Sequence, residues 1–362
     1  MFATFWIGFA WVFRMLQNAI LGYYDLIIVT ALITNGAYVY QRIKNYWKAS
    51  QSNVNRHENG ALHGKHVIIT GGSSGIGKCF AMEVARRGAN ITIVGRDNER
   101  LKLAYDEIIQ HCKNRKDQKI ECLSLDVARS AIAVATAFAD HEARLGQCYM
   151  LVNCAGNAVC GKIEDTAEMT LKHMLDVNLV GSYNCVKAIV PGMKTAKEGK
   201  IILVGSQASL LGIYGYSAYC ASKFAVRGLA ESLSMELKPY NVSVTLALPP
   251  DTDTPGFAVE QESKPLETKL ISESASLVQP EVVAQQMYKD AMAEKFFSIV
   301  GVESFILTTL CSGMSPYSSL YELLLQAQFM GPLKLISAFY RYHFDNIINR
   351  CAKERESQKK VE

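Results

Sequence analysis

Residues 65–77 read KHVIITGGSSGIG. The run 65–70 is rich in β-branched residues and predicts a buried strand, which leads into a glycine loop and then into a helical pattern that continues to Gly88. A strand, a glycine loop and a helix N-terminus in this order form a place for a pyrophosphate, because small residues permit close approach and the first helical N–H groups are free. The spacing of Gly71, Gly75 and Gly77 is G-x-x-x-G-x-G and not the commoner G-x-G-x-x-G.

Strands and helices alternate downstream of this loop. Strands are predicted at 90–94, 120–125, 149–152, 200–204, 242–248 and 297–301, and helices at 168–190 and 219–238. The alternation predicts an α/β fold, a doubly wound parallel sheet of Rossmann type in a single domain over residues 64–301. Sites in such sheets lie at the carboxyl ends of the strands. At these ends the sequence places Gly71, Arg96, Asp126, Asn153 and Ser206.

The end of the second predicted strand indicates which dinucleotide is used. An NAD-specific site would carry a carboxylate there for the ribose 2′-hydroxyl, but Gly95 and Arg96 occupy the position and Asp97 lies beyond it. Arg100 follows Arg96 by about one helical turn. Two cations suit a 2′-phosphate, so NADP(H) is the expected cofactor. The alternative, two solvated arginines at a helix start, does not account for the missing acid.

Tyr219 and Lys223 are spaced i,i+4 in a predicted helix, so their side chains lie on one face. A phenol normally titrates near pH ~10, and an ammonium beside it favours the phenolate and lowers its pKa. Ser206 follows the predicted strand 200–204 and supplies a hydroxyl that can hold a substrate oxygen. The three residues suit proton exchange with an alcohol or ketone oxygen. For the Tyr-x-x-x-Lys pattern alone, a surface position is an equally good interpretation.

The chain resembles the short-chain dehydrogenase/reductase family over about residues 64–300. The segments that carry the resemblance occur in the family's order: TGGSSGIG at 70–77, NCAG at 153–156, Asn178, Ser206 and YCASK at 219–223. There are two departures from the family pattern. Cys154 stands where many members have asparagine, and Pro250 replaces a glycine after the sixth strand, which leaves open the contact of Thr254 with the nicotinamide amide.

The resemblance implies an NADPH-dependent reductase with four catalytic residues. Tyr219 is the expected proton donor, Lys223 is expected to bind the nicotinamide ribose and lower the pKa of Tyr219, and Ser206 is expected to orient the substrate carbonyl. Asn178 is expected to hold a water that links Lys223 to solvent. The alternative for Asn178 is a polar residue that satisfies the backbone inside a helix.

The cofactor contacts are in part implied by the same resemblance. They are expected from Gly71, Ser73, Ser74, Gly75, Gly77, Arg96, Arg100, Asp126, Asn153, Tyr219, Lys223 and Thr254. Two of these positions have structural alternatives: Asp126 at a strand end can cap the next helix, and Asn153 can tie neighbouring strands together.

Within the family, residues 205–209, 238–242, 249–257 and 264–268 resemble the members that reduce 3-keto sphingoid bases. The implied reaction is reduction of 3-ketodihydrosphingosine (3-dehydrosphinganine) to dihydrosphingosine with NADPH. A steroid or retinoid dehydrogenase of the same family is one alternative. A catalytically inactive NADP-binding scaffold protein is another, although the intact catalytic set argues against it.

Residues 250–280 are expected to form a polar, mobile lid over the substrate. The long-chain substrate carries an amine next to its ketone, and Asp251 and Asp253 are candidates to pair with the ammonium form. The alternative is that both aspartates serve as turn and cap residues.

Residues 1–48 predict an N-terminal membrane anchor, followed by a polar linker at 49–63. The run 20–40 is long enough to cross about 30 Å of hydrocarbon, and Asp25 is its only charge. Arg42, Lys44 and Lys48 follow it, so the positive-inside rule places the main domain in the cytosol. The alternative is an apolar helix packed on the domain.

Residues 302–362 form a tail that is apolar but broken by prolines and charges. Membrane-associated helices that lie at the surface and a helical cover in a homodimer are the two interpretations. Lys359 and Lys360 resemble a dilysine retrieval signal. The expected location is therefore the endoplasmic reticulum membrane, with the catalytic domain facing the cytosol.

Net charge and cysteine spacing indicate which partners and metal sites are not expected. A net charge of +4 over 362 residues predicts no nucleic-acid partner. The ten cysteines include no C-x-x-C pair and no cluster with histidine at zinc spacing, which predicts reduced thiols and no metal site.

Overall fold

The computed structural model describes residues 62–273 and 277–359, so the predicted anchor and most of the predicted linker lie outside the described residues. The strands are β1 (His66–Thr70), β2 (Asn90–Gly95), β3 (Ile120–Ser124), β4 (Cys148–Asn153), β5 (Gly199–Val204), β6 (Val242–Leu248) and β7 (Phe297–Ile299). The helices are α1 (Gly75–Ala85), α2 (Asn98–Ile108), α3 (Ala131–Leu145), α4 (Glu168–Leu175), α5 (Gly181–Ala196), α6 (Ser217–Leu237), α7 (Pro255–Ser263), α8 (Leu266–Ser272), α9 (Pro280–Met292), α10 (Gly301–Cys311) and α11 (Leu320–Lys359).

The strands form one seven-stranded sheet in the order β3-β2-β1-β4-β5-β6-β7. Every neighbouring pair is parallel, which confirms the predicted doubly wound parallel sheet. The chain reverses its direction of strand addition between β1 and β4. A crevice opens at the carboxyl ends of strands at such a switch point, and this is where a ligand of an open α/β sheet binds.

The two faces of the sheet have separate apolar cores because side chains alternate along each strand. Ile68 and Leu151 point to one face and pack with residues of α3, α5 and α6. Val67, Ile69 and Met150 point to the other face and pack with α1, α2 and α9. Strands β1 and β4 are buried on both faces of the sheet, which explains why their sequences are continuous apolar runs and do not alternate with polar residues.

The glycine loop depends on close contact between its own glycines. A Cβ atom at Gly77 would lie 2.3 Å from the carbonyl oxygen of Gly71, and one at Gly71 would lie 2.8 Å from the amide nitrogen of Ala155. Gly71 also has a φ angle of +66°, which side-chain-bearing residues rarely adopt. The loop therefore brings the N-terminus of α1 directly against the ends of β1 and β4.

The predicted helix 168–190 is interrupted in the structure. A π-helical segment, Asp176–Val180, separates α4 from α5 and contains Asn178. A π turn inserts one residue into a helix and often lies at a functional site. The apolar periodicity of the sequence did not predict this π-helical segment, because apolar residues continue before and after it.

The predicted lid, residues 250–280, contains α7 and α8 in its described part. Lys264 and Glu267 are buried, so this segment is less solvated than its composition indicates. Their charges are neutralised internally: Lys264 pairs with Glu260, and Glu267 pairs with Arg355 of α11. Whether the lid is mobile stays a prediction.

The C-terminal helices contact the rest of the domain. Gln207 donates a hydrogen bond to Ser304 of α10 over 3.0 Å, and Ile347 and Cys351 of α11 pack against Ile271 of α8. Within residues 62–273 and 277–359, no helix is long and apolar enough to cross a membrane. Association of this tail with a membrane surface stays a prediction.

We expect Gly77→Ala to lower the free energy of unfolding by about 1–3 kcal/mol, the usual cost of overpacking, because its methyl group would overlap the Gly71 carbonyl. Gly228→Ala in α6 is the matched control, since a Cβ there meets open space. It should stabilise the helix by roughly 0.5–1 kcal/mol. Denaturant midpoints of both variants test this, and equal shifts would contradict it.

Candidate active site

A cavity of about 570 Å³ lies at the carboxyl ends of the strands, where the switch point predicts it. Eleven of the sequence-predicted residues line it: Gly71, Ser73, Ser74, Arg96, Arg100, Asp126, Ser206, Tyr219, Lys223, Asp251 and Thr254. Five others do not: Gly75, Gly77, Asn153, Asn178 and Asp253.

The centre of the cavity holds the serine, the tyrosine and the lysine. Lys223 donates a hydrogen bond from Nζ to the carbonyl oxygen of Val204 over 2.9 Å, and its Nζ lies 5.7 Å from the centroid of the Tyr219 ring. The Ser206 hydroxyl lies close enough to that of Tyr219 to lower its pKa through hydrogen bonding. The Ser206 hydroxyl also accepts a hydrogen bond from the Ala208 amide over 3.1 Å, which fixes its rotamer. The two hydroxyls can therefore reach one substrate oxygen.

The surroundings of Tyr219 raise its pKa above the ordinary value, and the hydrogen bond with Ser206 only partly opposes this effect of burial. Desolvation of the phenol is the largest contribution to this rise in pKa, and the lowering expected from Lys223 stays a prediction. Burial also lowers the pKa of Lys223 to about 8. At neutral pH the tyrosine is therefore a protonated phenol, the form that a proton donor requires, beside a lysine that is still mostly charged.

Asn178 lies behind the cavity wall and is buried. Its Nδ2 donates to the Asn157 carbonyl and to the Ser222 hydroxyl, and its Oδ1 accepts from the Asn157 amide. The side chain thus ties the loop after β4 to α6, next to Lys223. None of these bonds is to the backbone of the helix that carries Asn178, so they are not the structural alternative, and the predicted water relay stays a prediction.

The nucleotide end of the cavity has an uncapped helix and two arginines. Ser74 is the N-cap of α1 but its side chain makes no capping hydrogen bond, so the first N–H groups of the helix face the cavity without a side-chain partner. Arg96 and Arg100 line the same end, and Arg100 lies 3.5 Å from Asp97. A helix N-terminus and two guanidinium groups favour an anionic ligand.

Three predicted cofactor contacts have a structural role in the fold. Asn153 accepts a hydrogen bond from the Thr70 hydroxyl over 3.5 Å, which joins the neighbouring strands β1 and β4 as in the alternative left open for it, and it also donates to the Ser182 carbonyl of α5 over 3.3 Å. Gly77 packs against Gly71, as described above. Gly75 has a φ angle of +51° and packs against Thr254, which itself caps α7 by accepting from the Phe257 amide.

The opposite end of the cavity is acidic. Asp251 and Glu260 both line it, whereas Asp253 is exposed and accepts a hydrogen bond from Gln279. Of the two candidate aspartates, only Asp251 lines the cavity, and the exposed position of Asp253 agrees with the alternative of a turn or cap residue. Glu260 was missed from sequence. The sequence feature that could have identified Glu260 is its i,i+4 spacing to Lys264 within a predicted polar segment.

The family model of the short chain dehydrogenases matches residues 65–265. The protein is a short-chain dehydrogenase. The 3-ketodihydrosphingosine reductase of Bos taurus is 46% identical over 83% of this short-chain dehydrogenase and 91% of the bovine chain. The 3-dehydrosphinganine reductase of Danio rerio is 48% identical over 82% of this chain and 90% of its own. A metagenomic short-chain oxidoreductase solved in complex with NADP is 27% identical, with a TM-score of 0.54 over 66% of this chain and 96% of its own.

The residues of this short-chain dehydrogenase fit a phosphorylated dinucleotide. Gly71 lines the cavity beside the α1 N-terminus, whose first N–H groups have no side-chain cap and can bind a pyrophosphate. Arg96 is placed for a 2′-phosphate at the end of β2, and no carboxylate occupies that strand end.

We expect Arg96→Ser to raise the KM for NADPH by about 10- to 100-fold, the size of a lost charge-assisted hydrogen bond. The KM for NADH should change little, because NADH has no 2′-phosphate. Lys102→Ser, an exposed cation of α2 outside the cavity, is the matched control. A similar rise in KM for both cofactors would show that Arg96 does not bind the 2′-phosphate.

Proposed function

We propose that the protein reduces 3-ketodihydrosphingosine to dihydrosphingosine with NADPH. The observation that carries the proposal is the convergence of Ser206, Tyr219 and Lys223 on a cavity whose other wall is the glycine loop. The substrate class comes from the relatives of Bos taurus and Danio rerio, which bear the names of reductases of this ketone and cover most of the chain.

NADPH, when bound, supplies a hydride to the ketone carbon. Tyr219 then gives its phenolic proton to the ketone oxygen, and the Ser206 hydroxyl donates a hydrogen bond to the same oxygen as negative charge develops on it. The transfer leaves a phenolate, which the Lys223 ammonium, 5.7 Å from the centroid of the Tyr219 ring, stabilises. Lys223 keeps its position through the Val204 carbonyl, so this charge is fixed before the reaction begins.

The direct test measures NADPH oxidation by the full chain in detergent with 3-ketodihydrosphingosine. We expect dihydrosphingosine as the product and little turnover with NADH, with a steroid ketone or with retinal. Turnover of the steroid ketone or retinal alone would keep the catalytic residues and reject the substrate. Tight binding of NADPH without turnover of any ketone would instead indicate an inactive scaffold protein.

We also propose that residues 20–40 anchor the enzyme in the endoplasmic reticulum membrane with the reductase domain in the cytosol. The apolar length of this run and the cations at Arg42, Lys44 and Lys48 support the proposal. All ten cysteines lie in the described ranges and are free thiols, which suits a reducing compartment. Deletion of residues 1–48 should move the protein from the membrane pellet to the supernatant, and an unchanged pellet would contradict the anchor. A homodimer stays a prediction.

A further inference from the structure

The acidic end of the cavity is lined by Asp251 of the β6–α7 loop and Glu260 of α7, with Lys264, the residue after α7, behind them. The side chain of Glu260 is 12% exposed and that of Asp251 is 32% exposed, and both line the cavity. Lys264 lies 3.1 Å from Glu260 and 3.7 Å from Asp251 and is fully buried. The lysine does not line the cavity; its ammonium packs 4.8 Å from the centroid of the Phe257 ring. The carboxylates therefore face the cavity and the ammonium lies behind them.

The contacts of Glu260 leave part of its carboxylate free. Tyr216 donates a hydrogen bond to Oε1, and Lys264 is paired with the same oxygen. Among the described residues, Oε2 accepts no hydrogen bond. A carboxylate oxygen that lies on the cavity wall and lacks a donor from the protein favours a cationic or hydrogen-bond-donating ligand.

The charges of this cluster do not cancel. Two carboxylates share one ammonium, which leaves an excess of one negative charge beside the reacting centre when both are ionised. Both Glu260 and Asp251 are close enough to Tyr219 to raise its pKa. The negative charges of these two carboxylates also oppose the negative charge that develops on a ketone oxygen. The arrangement therefore hinders reduction of a neutral ketone. A substrate that brings its own positive charge removes this penalty.

The substrate of the proposed function carries such a charge. Its amino group is bonded to the carbon next to the ketone carbon, and an amine of this kind is mostly an ammonium ion at neutral pH. When the ketone oxygen lies between Ser206 and Tyr219, the amine must lie close to it, in the same part of the cavity as the carboxylates.

We propose that Glu260, together with Asp251, binds the ammonium group of the sphingoid ketone and makes the enzyme selective for α-amino ketones. Tyr216 and Lys264 act as positioning residues that hold the Glu260 carboxylate towards the cavity. This inference rests on the proposed function and adds the group that recognises the amine. It replaces Asp253, which the sequence suggested, with a residue of α7.

The test compares kcat/KM for 3-ketodihydrosphingosine with that for the matched ketone that lacks the 2-amino group. In the wild-type enzyme we expect the amino ketone to be preferred, and in Glu260→Gln we expect this preference to fall by about 10- to 100-fold, the size of a lost charge-assisted hydrogen bond. Glu262→Gln removes an equal charge from the exposed side of the same helix and should keep the preference. Asp251→Asn is the second variant, and a smaller fall in the same direction is expected because Asp251 is more exposed.

The readouts separate this inference from a structural role and from the proposed function. If Glu260→Gln lowers turnover of both ketones by the same factor, Glu260 only holds α7 in place and the inference is wrong. If the wild-type enzyme reduces both ketones equally well, the proposed function stands and the inference is also wrong. If wild-type enzyme that binds NADPH reduces neither ketone, the proposed function itself fails. NADPH binding and the thermal midpoint of each variant show whether it is folded, and if Glu260→Gln is not, Asp251→Asn decides the outcome.

Discussion

The ammonium group of Lys223 donates a hydrogen bond to the carbonyl oxygen of Val204 over 2.9 Å, although only 6% of the residue is exposed. Burial of a charge is unfavourable, and it lowers the pKa of this lysine to about 8. The carbonyl at the end of β5 offsets part of this cost. Ser206 follows Val204 by two residues, so one strand end supplies both the anchor for the lysine and the hydroxyl for the substrate. Tyr219, one helical turn before Lys223, is thereby placed beside Ser206.

The loop after β4 strengthens the same arrangement from the other side. Asn178 bonds to both backbone groups of Asn157 and to Ser222, the neighbour of Lys223. The π-helical segment gives Asn178 its position between α4 and α5. Because Asn178, Ser222 and Lys223 are buried, the position of the catalytic lysine depends on the core of the fold. Such preorganisation is what electrostatic stabilisation of a developing oxyanion requires.

Much of the fold and the centre of the site could be predicted from sequence, because both depend on local patterns. The run 65–70 and its glycine loop identify strand, turn and helix within a few residues, and a parallel sheet then brings the strand ends together. Properties that depend on tertiary contact could not be predicted. Asp251 and Asp253 are two residues apart, yet only Asp251 lines the cavity. Glu260 contacts Tyr216 across 44 positions of chain, and the i,i+4 spacing of Tyr219 and Lys223 does not reveal that desolvation raises the pKa of Tyr219.

The central claim is that Tyr219 donates the proton. Its most direct test is the single-turnover rate of 3-ketodihydrosphingosine reduction at saturating NADPH, measured for wild type, for Tyr219→Phe and for Tyr183→Phe, which loses a hydroxyl on the exposed side of α5. The account predicts a fall of about 10²- to 10⁴-fold for Tyr219→Phe with NADPH binding unchanged, and a wild-type rate for Tyr183→Phe. A wild-type rate for Tyr219→Phe would contradict it.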